Sequence, residues 1–307
     1  MSNIRRPLGY HAARNAYHLL RRFQYNIKCI SVEMSHYFSV KLNRMNGVTT
    51  IKRNPELIVS LTTIPERIGM VALCLDSLLR QSLRPDQLIL WLSESHENGR
   101  PVINQASLPA DLLRLIPRGL DIRWCKDIRS FRKIVPTLQA HPKALIVTAD
   151  DDIFYPRHWL KALYEAYQAE PQYVHCHRAH LMQYDADGMT LPYWQWQFLA
   201  EGHVQPSFDL FPTSGGGALY APGHLHQDVL NEGVFMALCP KADDVWLKAM
   251  SLLARVACKK VGAKTFPIVE IRIPNNRTLA SENVDRNGND LQIKAVADRY
   301  GVFSRLI

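Results

Sequence analysis

The stretch that decides the fold is Ala144-Leu145-Ile146-Val147-Thr148-Ala149-Asp150-Asp151-Asp152. Residues 144–148 are apolar or β-branched and predict a buried strand. Pro156 follows shortly and favours the start of a helix, which we predict over 156–170. The three carboxylates therefore follow the carboxyl end of a predicted strand, which is the edge at which α/β sheets bind their ligands.

Short apolar runs alternate with amphipathic stretches on both sides of this strand. This alternation predicts strand–helix–strand units, and hence an α/β fold of a Rossmann-like kind with a mixed, mainly parallel sheet flanked by helices. The predicted strands lie at 56–64, 87–93, 121–124, 144–148, 173–177 and 267–273. The predicted helices lie at 69–81, 131–139, 156–170 and 243–257, with long connections around a cavity over 185–212.

The net positive charge of the chain comes from its first 53 residues. Residues 1–53 contain ten Lys or Arg and the single acid Glu33, a charge of +9 that equals the formal charge of the whole 307-residue chain. Residues 54–307 hold the remaining 27 basic and 27 acidic residues and are balanced. We therefore divide the chain into a basic N-terminal segment, 1–54, and a main domain, 55–307.

The apolar residues of the N-terminal segment recur at three- and four-residue steps, which predicts an amphipathic helix. Two interpretations stay open: a helix packed on the main domain with a solvated basic side, or a surface within 1–53 that rests on anionic lipid. No basic–aromatic recognition module accompanies the charge, so nucleic acid is not an expected partner. The apolar residues are Ala13, Ala16, Tyr17, Leu20, Phe23, Ile27 and Ile30.

The cellular compartment is predicted from three features that the sequence does not show: a membrane-spanning segment, a secretory signal and closely spaced cysteines. No apolar run approaches the ~20 residues of a membrane-spanning helix, and Arg14, Arg21 and Arg22 interrupt any core of a secretory signal. The six cysteines are spread without a CxxC pair, which favours reduced, mostly buried thiols. We expect a cytoplasmic protein, peripheral at most on the inner face of the cell membrane.

The acidic run predicts a divalent-cation site. Alternate residues of an extended segment point the same way, so Asp150 and Asp152 can address one site while Asp151 points elsewhere. Mg²⁺ and Mn²⁺ prefer carboxylates and keep phosphate oxygens as further ligands. The alternative is a solvated acidic turn that complements the positive end of the following helix.

Three further features contain candidate functional residues. Asp243 and Asp244 open an otherwise apolar helix, where they either cap its first turn or provide a general base. The glycines of Thr213–Tyr220 allow close backbone approach to a ligand, although a tight bend alone would explain them. Tyr193, Trp194 and Trp196 are candidates for stacking on the flat face of a sugar ring, although aromatic residues are more commonly buried in a core.

The order of these pieces resembles the bacterial GT-A fold glycosyltransferases of the family-two-like inverting type, which build cell-surface polysaccharide. Such enzymes open with a strand that runs into a loop containing Ser or Thr and Pro, and they place an aspartate motif after the fourth strand. A glycine-rich strand near the acceptor and a paired acid at a helix start complete the set. The resemblance covers about 55–295, and the matching pieces are 59–67, 131–136, 150–152, 215–220 and 243–244.

The resemblance implies a role for each matching residue. Asp150 would contact the nucleotide ribose or the metal, and Asp152 would ligate the metal, Mn²⁺ or Mg²⁺, which neutralises the departing diphosphate. Asp244 would deprotonate the acceptor hydroxyl, with Asp243 as second choice. The implied donor-binding residues are Thr62, Pro65, Arg67, Lys133, Asp150 and Asp151, and the implied acceptor-binding residues are Gly215, Gly216 and Gly217.

The implied function is transfer of one sugar from a nucleotide-diphosphate sugar, most simply a UDP-sugar, to a hydroxyl of a cell-surface glycan or lipid-linked acceptor. No Gln-x-x-Arg-Trp motif of processive synthases is present, which favours single transfer. Two alternatives stay open: a sugar-nucleotide nucleotidyltransferase, and a non-catalytic membrane-associated protein of the same fold. Asn289, Asp290 and Gln292 resemble a recurring tail without an assigned role.

Overall fold

A computed structural model of the chain describes residues 27, 29–95, 102–264, 268–271 and 288–305. The predicted amphipathic positions from Ala13 to Phe23 lie outside the described residues. Helix α1 runs through residues 29–42. Helices α2–α8 are Val71–Leu79, Ala110–Leu113, Val135–Ala140, Trp159–Ala169, Glu232–Leu238, Asp243–Leu253 and Gly288–Tyr300. Strands β1–β11 are Leu57–Thr62, Gln87–Ser93, Leu120–Cys125, Leu145–Thr148, Ile153–Phe154, Val174–Cys176, Ala179–Leu181, Leu210–Pro212, Ala218–Tyr220, Cys258–Lys260 and Val269–Glu270.

Seven strands form one sheet in the order β10-β6-β9-β4-β1-β2-β3. In this sheet β9 runs antiparallel to both of its neighbours, β4 and β6, while the other adjacent strands pair in parallel. Two small antiparallel pairs, β5–β11 and β7–β8, lie beside it. The α/β class with a mixed, mainly parallel sheet flanked by helices is therefore confirmed.

The two faces of the sheet are both buried, as the alternation along β1 shows. Ile58 belongs to one hydrophobic cluster, together with Phe131 on one side of the sheet. Val59 and Leu61 belong to a second cluster on the opposite side, with Leu75 of α2. A parallel strand covered on both faces reads as a continuous apolar run, which is why the sequence signalled it so clearly.

Differences from the predicted bounds have local causes. The strand predicted at 87–93 coincides with β2, but the one predicted at 56–64 ends at Thr62 because Pro65 opens a 3₁₀ turn, Pro65–Arg67. The helix predicted at 131–139 divides into a 3₁₀ turn and α4, since Pro136 cannot donate a backbone N–H to the preceding turn. Strands β7 and β10 were not predicted, because runs of three residues carry little periodicity.

Helix α1 is fixed to the main domain by a buried carboxylate. Asp76 of α2 is fully buried and accepts hydrogen bonds from His36 Nδ1 at 2.6 Å and Ser39 Oγ at 2.8 Å, both on α1. It also accepts from the buried guanidinium of Arg118 at 2.6 Å. The described part of the N-terminal segment thus packs on the main domain, whereas the domain boundary at 54 stays a prediction.

No helix in the described ranges is both long enough and apolar enough to cross a bilayer. All six cysteines are free thiols, and five of them are buried.

Candidate functional site

The acidic run lies at the carboxyl edge of the sheet, directly beyond β4. Asp151 turns into the protein, where Thr63 Oγ1 donates to it at 2.5 Å and Arg67 donates at 2.6 Å. Its side chain is 8% exposed, against 36% for Asp150 and 25% for Asp152. The two flanking carboxylates therefore keep oxygen surface available to a ligand, and the middle one does not.

Arg67 supplies a cation to this run from the end of β1. The turn Pro65–Arg67 brings its guanidinium to Asp151 and, at 2.9 Å, to Asp152. Burial lowers the pKa of Arg67, but the charges of Asp151 and Asp152 outweigh burial, so the pKa is raised. Thr62, just before the turn, donates to the Trp91 carbonyl at 2.9 Å and accepts from Arg132 at 3.0 Å.

Lys133 joins three parts of the chain that are remote in sequence. Its buried Nζ lies 2.7 Å from Asp150 Oδ1, 2.6 Å from Ser214 Oγ and 2.9 Å from Asp243 Oδ2. We call this group the Lys133 junction. Burial lowers the pKa of Lys133, but the charges of Asp150 and Asp243 outweigh it and raise the pKa well above the usual value. The ammonium therefore stays charged and links the acidic run to the start of α7.

Asp244 lies beside the junction with a carboxylate that resists ionisation. The backbone N–H of Ser214 donates to its Oδ1 at 2.9 Å. Burial, and after it the charge of Asp243, raises the pKa of Asp244 to about 7, even though the side chain keeps some exposed surface. Burial and the neighbouring carboxylates likewise raise the pKa of Asp152 to about 6. A carboxylate that titrates near neutrality is suited to proton transfer.

The glycines of the turn after β8 are fixed by close packing. A Cβ on Gly215 would lie 2.6 Å from Asp150 Oδ2, and one on Gly217 would lie 2.5 Å from the Trp159 ring. Gly217 also has a φ of +98°, which favours glycine. A Cβ on Gly216 would collide with the side chain of Arg178. The turn therefore lies against the acidic run at a distance that only glycine permits.

Tyr155 and Trp159 hold the turn and the acidic run together, and the sequence analysis missed both. Tyr155 Oη accepts from the backbone N–H of Asp150 at 2.8 Å and donates to the Gly215 carbonyl at 3.0 Å. Trp159 Nε1 donates to the Gly216 carbonyl at 2.7 Å. Their position just after an acidic run, at the start of a helix, was the one available signal.

Two of the three aromatic candidates for stacking on a sugar are buried. Tyr193 and Trp196 are 6% and 3% exposed, and their ring centroids lie 4.8 Å apart in the hydrophobic core. Trp194 between them is 65% exposed. Stacking of a sugar on Tyr193 or Trp196 stays a prediction that requires these rings to become exposed, whereas the Trp194 ring already is.

Asp290 and Gln292 of α8 form hydrogen bonds with backbone groups near the site. Asp290 Oδ1 accepts from the backbone N–H of Tyr193 at 2.7 Å. Gln292 Oε1 accepts from the backbone N–H of Lys241, just before α7, at 2.9 Å. Helix α8 therefore ties the aromatic segment and the start of α7 together.

A divalent cation fits the donors that the acidic run offers. The described part of the chain contains no group of three or more His, Cys, Asp or Glu arranged to hold a metal. Mg²⁺, however, commonly binds one or two carboxylates together with substrate phosphates. Asp150 and Asp152 provide two part-exposed carboxylates, paired at present with Lys133 and Arg67, and burial followed by the charges of Asp150 and Asp151 raises the pKa of Asp152.

The chain is similar to solved structures at low sequence identity. No protein-family model matches the chain, and no curated protein does. A mannosyltransferase of Pyrobaculum calidifontis, solved with GDP-mannose and Mn²⁺, is similar over 92% of this chain and 76% of its own, at 14% identity and a TM-score of 0.46. A CMP:2-keto-3-deoxy-manno-octonic acid synthetase solved with CTP is similar over 66% of this chain and 88% of its own, at 9% identity and a TM-score of 0.38. Neither likeness assigns an activity to this chain.

Proposed function

We propose that the chain is an inverting glycosyltransferase that moves one sugar from a nucleotide-diphosphate sugar to a hydroxyl of a cell-surface glycan or lipid-linked acceptor. The observation that supports this most is the convergence of three remote pieces at one sheet edge. They are the acidic run after β4, the glycine turn before β9 and the paired acids of α7, joined by Lys133.

Asp244 is the proposed general base. Because its pKa is raised to about 7, it is both ionised to a useful extent and basic enough to accept a proton near neutral pH. The acceptor oxygen forms a bond to the anomeric carbon from the side opposite the diphosphate, and its proton passes to Asp244. The bond from that carbon to the phosphate oxygen breaks, and the nucleoside diphosphate leaves with the bonding electrons. The sugar is transferred with inversion.

The donor is proposed to bind across the ends of β1 and β4. Thr62, Pro65 and Arg67 line the nucleotide side, and Asp151 acts there by holding Arg67. Asp150 and Asp152 would hold Mn²⁺ or Mg²⁺, which supplies the Lewis-acid charge that stabilises a diphosphate leaving group.

Lys133 is proposed to position the site rather than to contact the diphosphate directly. Its ammonium donates hydrogen bonds to Asp150 and Ser214 and forms an ion pair with Asp243 at 2.9 Å, so a phosphate would have to compete with these three partners. Held this way, Lys133 sets the distance between the donor-side Asp150 and the acceptor-side Asp243. On the acceptor side we place Gly215–Gly217, with Trp194 as the exposed ring nearest in sequence to Tyr193 and Trp196.

The test is a donor screen that measures release of nucleoside diphosphate from UDP-sugars and other nucleotide sugars, with Mn²⁺ or Mg²⁺ present. We expect slow hydrolysis without acceptor. Asp244→Asn should lose transfer while keeping donor affinity, and Asp152→Asn should lose metal-dependent activity. The matched control is Asp298→Asn, a carboxylate whose side chain is 63% exposed on α8.

Other results would indicate a different function or a different catalytic base. Pyrophosphate release from a nucleoside triphosphate and a sugar phosphate would identify a nucleotidyltransferase. Absence of binding to every nucleotide and nucleotide sugar, in a folded protein with metal present, would leave a non-catalytic protein of this fold. Full transfer by Asp244→Asn would move the base to another residue.

A further inference from the structure

Helix α1 presents an apolar face to solvent. Ile30, Met34, Tyr37, Phe38 and Leu42 are 49%, 47%, 44%, 52% and 74% exposed. At the ~100° that each helical residue turns, these five residues fall within an arc of about 140°. We call them the α1 stripe. Exposed apolar residues are ordinary when scattered, but a contiguous row on one helix face marks an interaction surface.

The outward orientation of the α1 stripe is imposed by the main domain. The opposite face of α1 carries His36 and Ser39, which bond to the buried Asp76, and Val40, which is 1% exposed. The His36 ring also stacks on Phe154, with the ring centroids 5.0 Å apart. Turning the stripe inward would break these contacts and leave Asp76 without two of its partners.

Cations lie within and beside the stripe. Lys41 falls inside its arc and also pairs with Asp111, Arg44 follows the helix, and the sequence of residues 1–53 contains ten basic residues and one acid. Phe38 and Leu42, with Arg80 of the main domain, line a shallow hollow of about 360 Å³. Helices that lie in the headgroup region of a bilayer typically combine an apolar face with nearby Lys and Arg.

We infer that the α1 stripe is an interfacial anchor that inserts into the surface of an anionic lipid bilayer. The charge decides between this partner and a second copy of the chain. Two copies joined through the stripe would bring two chains with N-terminal segments of net charge +9 into one assembly, and like charges repel. An anionic leaflet complements the same charge while it takes up the apolar side chains. This anchor operates whether or not the proposed transfer reaction does.

The test is co-sedimentation of the full chain with vesicles of phosphatidylcholine, alone or mixed with phosphatidylglycerol. The wild type should bind the mixed vesicles and bind phosphatidylcholine vesicles far less. Phe38→Glu/Leu42→Glu should weaken binding to the mixed vesicles at least tenfold, because two large apolar groups no longer insert. The matched control is Met189→Glu/Leu291→Glu, which adds the same charge at positions 47% and 71% exposed elsewhere and should bind within twofold of the wild type.

Four measurements can refute the inference or separate it from the proposed function: co-sedimentation, sedimentation velocity, thermal unfolding and donor hydrolysis. Equal binding by the stripe variant and the wild type would overturn it, as would equal losses by the stripe variant and the control. Sedimentation velocity that shows a dimer dissociating in the stripe variant, with no lipid binding by the wild type, would assign the stripe to a second copy. Thermal unfolding and donor hydrolysis in solution should be unchanged in the stripe variant, so a failed anchor and a failed catalytic proposal are told apart.

Discussion

Replacing Asp244 by Asn should stabilise the fold at alkaline pH while it removes transfer. Folding raises the pKa of Asp244 from 3.8 to about 7, first through burial and then through the charge of Asp243. The difference between these two pKa values corresponds to at most about 4 kcal/mol. Because the folded state then holds a proton that the unfolded state has lost, the free energy of unfolding falls as the pH rises from about 4 to about 7.

The expected gain is smaller than this full penalty. The Asp244 side chain keeps some exposed surface, so solvent screens part of the cost of its charge. We expect Asp244→Asn to raise the free energy of unfolding by about 1–3 kcal/mol at pH 8, and by less than half of that at pH 5. The Asn Oδ1 can still accept the Ser214 N–H, so no buried donor is left unpaired.

The assay is urea unfolding of the wild type and Asp244→Asn at both pH values, beside rates of transfer. Asp298→Asn, exposed on α8, should change the free energy of unfolding by less than about 0.5 kcal/mol at either pH. Loss of a general base should slow transfer by about 10²–10⁴-fold. A variant no more stable than the wild type at pH 8, or a gain that does not depend on pH, would refute the electrostatic reasoning.

Other substitutions test the packing around the site. Lys133→Met removes the cation of the Lys133 junction and should cost about 3–5 kcal/mol in urea unfolding; a cost under about 1 kcal/mol would mean that the ammonium does not hold these acids. Gly217→Ala should lower the melting temperature more than Gly223→Ala, since both have positive φ but nothing lies within 4 Å of a Cβ on Gly223; equal losses would exclude the clash with Trp159. Asp76→Asn should expose the amides of α1 to hydrogen exchange before global unfolding, and unchanged protection would show that α1 is held by other contacts.

The position of the acidic run was predictable because its signals are local. An apolar strand, a carboxylate run and a helix-opening proline follow one another within 144–156. What Asp151 contacts was not predictable, because Thr63 and Arg67 reach it from the end of β1. Sequence spacing within one segment shows which side chains alternate, but not which neighbour from another segment neutralises them.

The partners of Lys133 and the burial of Tyr193 illustrate the same limit. The resemblance implied that Lys133 contacts the donor, but it gave no sign of the three oxygen neighbours of Lys133, which come from the segments after β4, after β8 and at the start of α7. Tyr193 and Trp196 have the composition of either a core or a sugar platform, and only the contacts with Phe211 place them in the core. The antiparallel direction of β9 was likewise not predicted, because a run of three apolar residues gives no sign of the direction in which the strand enters the sheet.

The reversal of β9 has a consequence for how such a chain can diversify. Because β9 runs against β6, the stretch between Cys176 and Ala218 leaves and re-enters the sheet at the same edge, and the β7–β8 ladder closes its base. The connection between β7 and β8 can thus change in length without reordering the strands beneath the acidic run, whereas Ser214 and the glycines after β8 are held by Lys133 and Trp159. Under the proposed function, such a change would alter the acceptor side of the site and leave the donor side at β1 and β4 as it is.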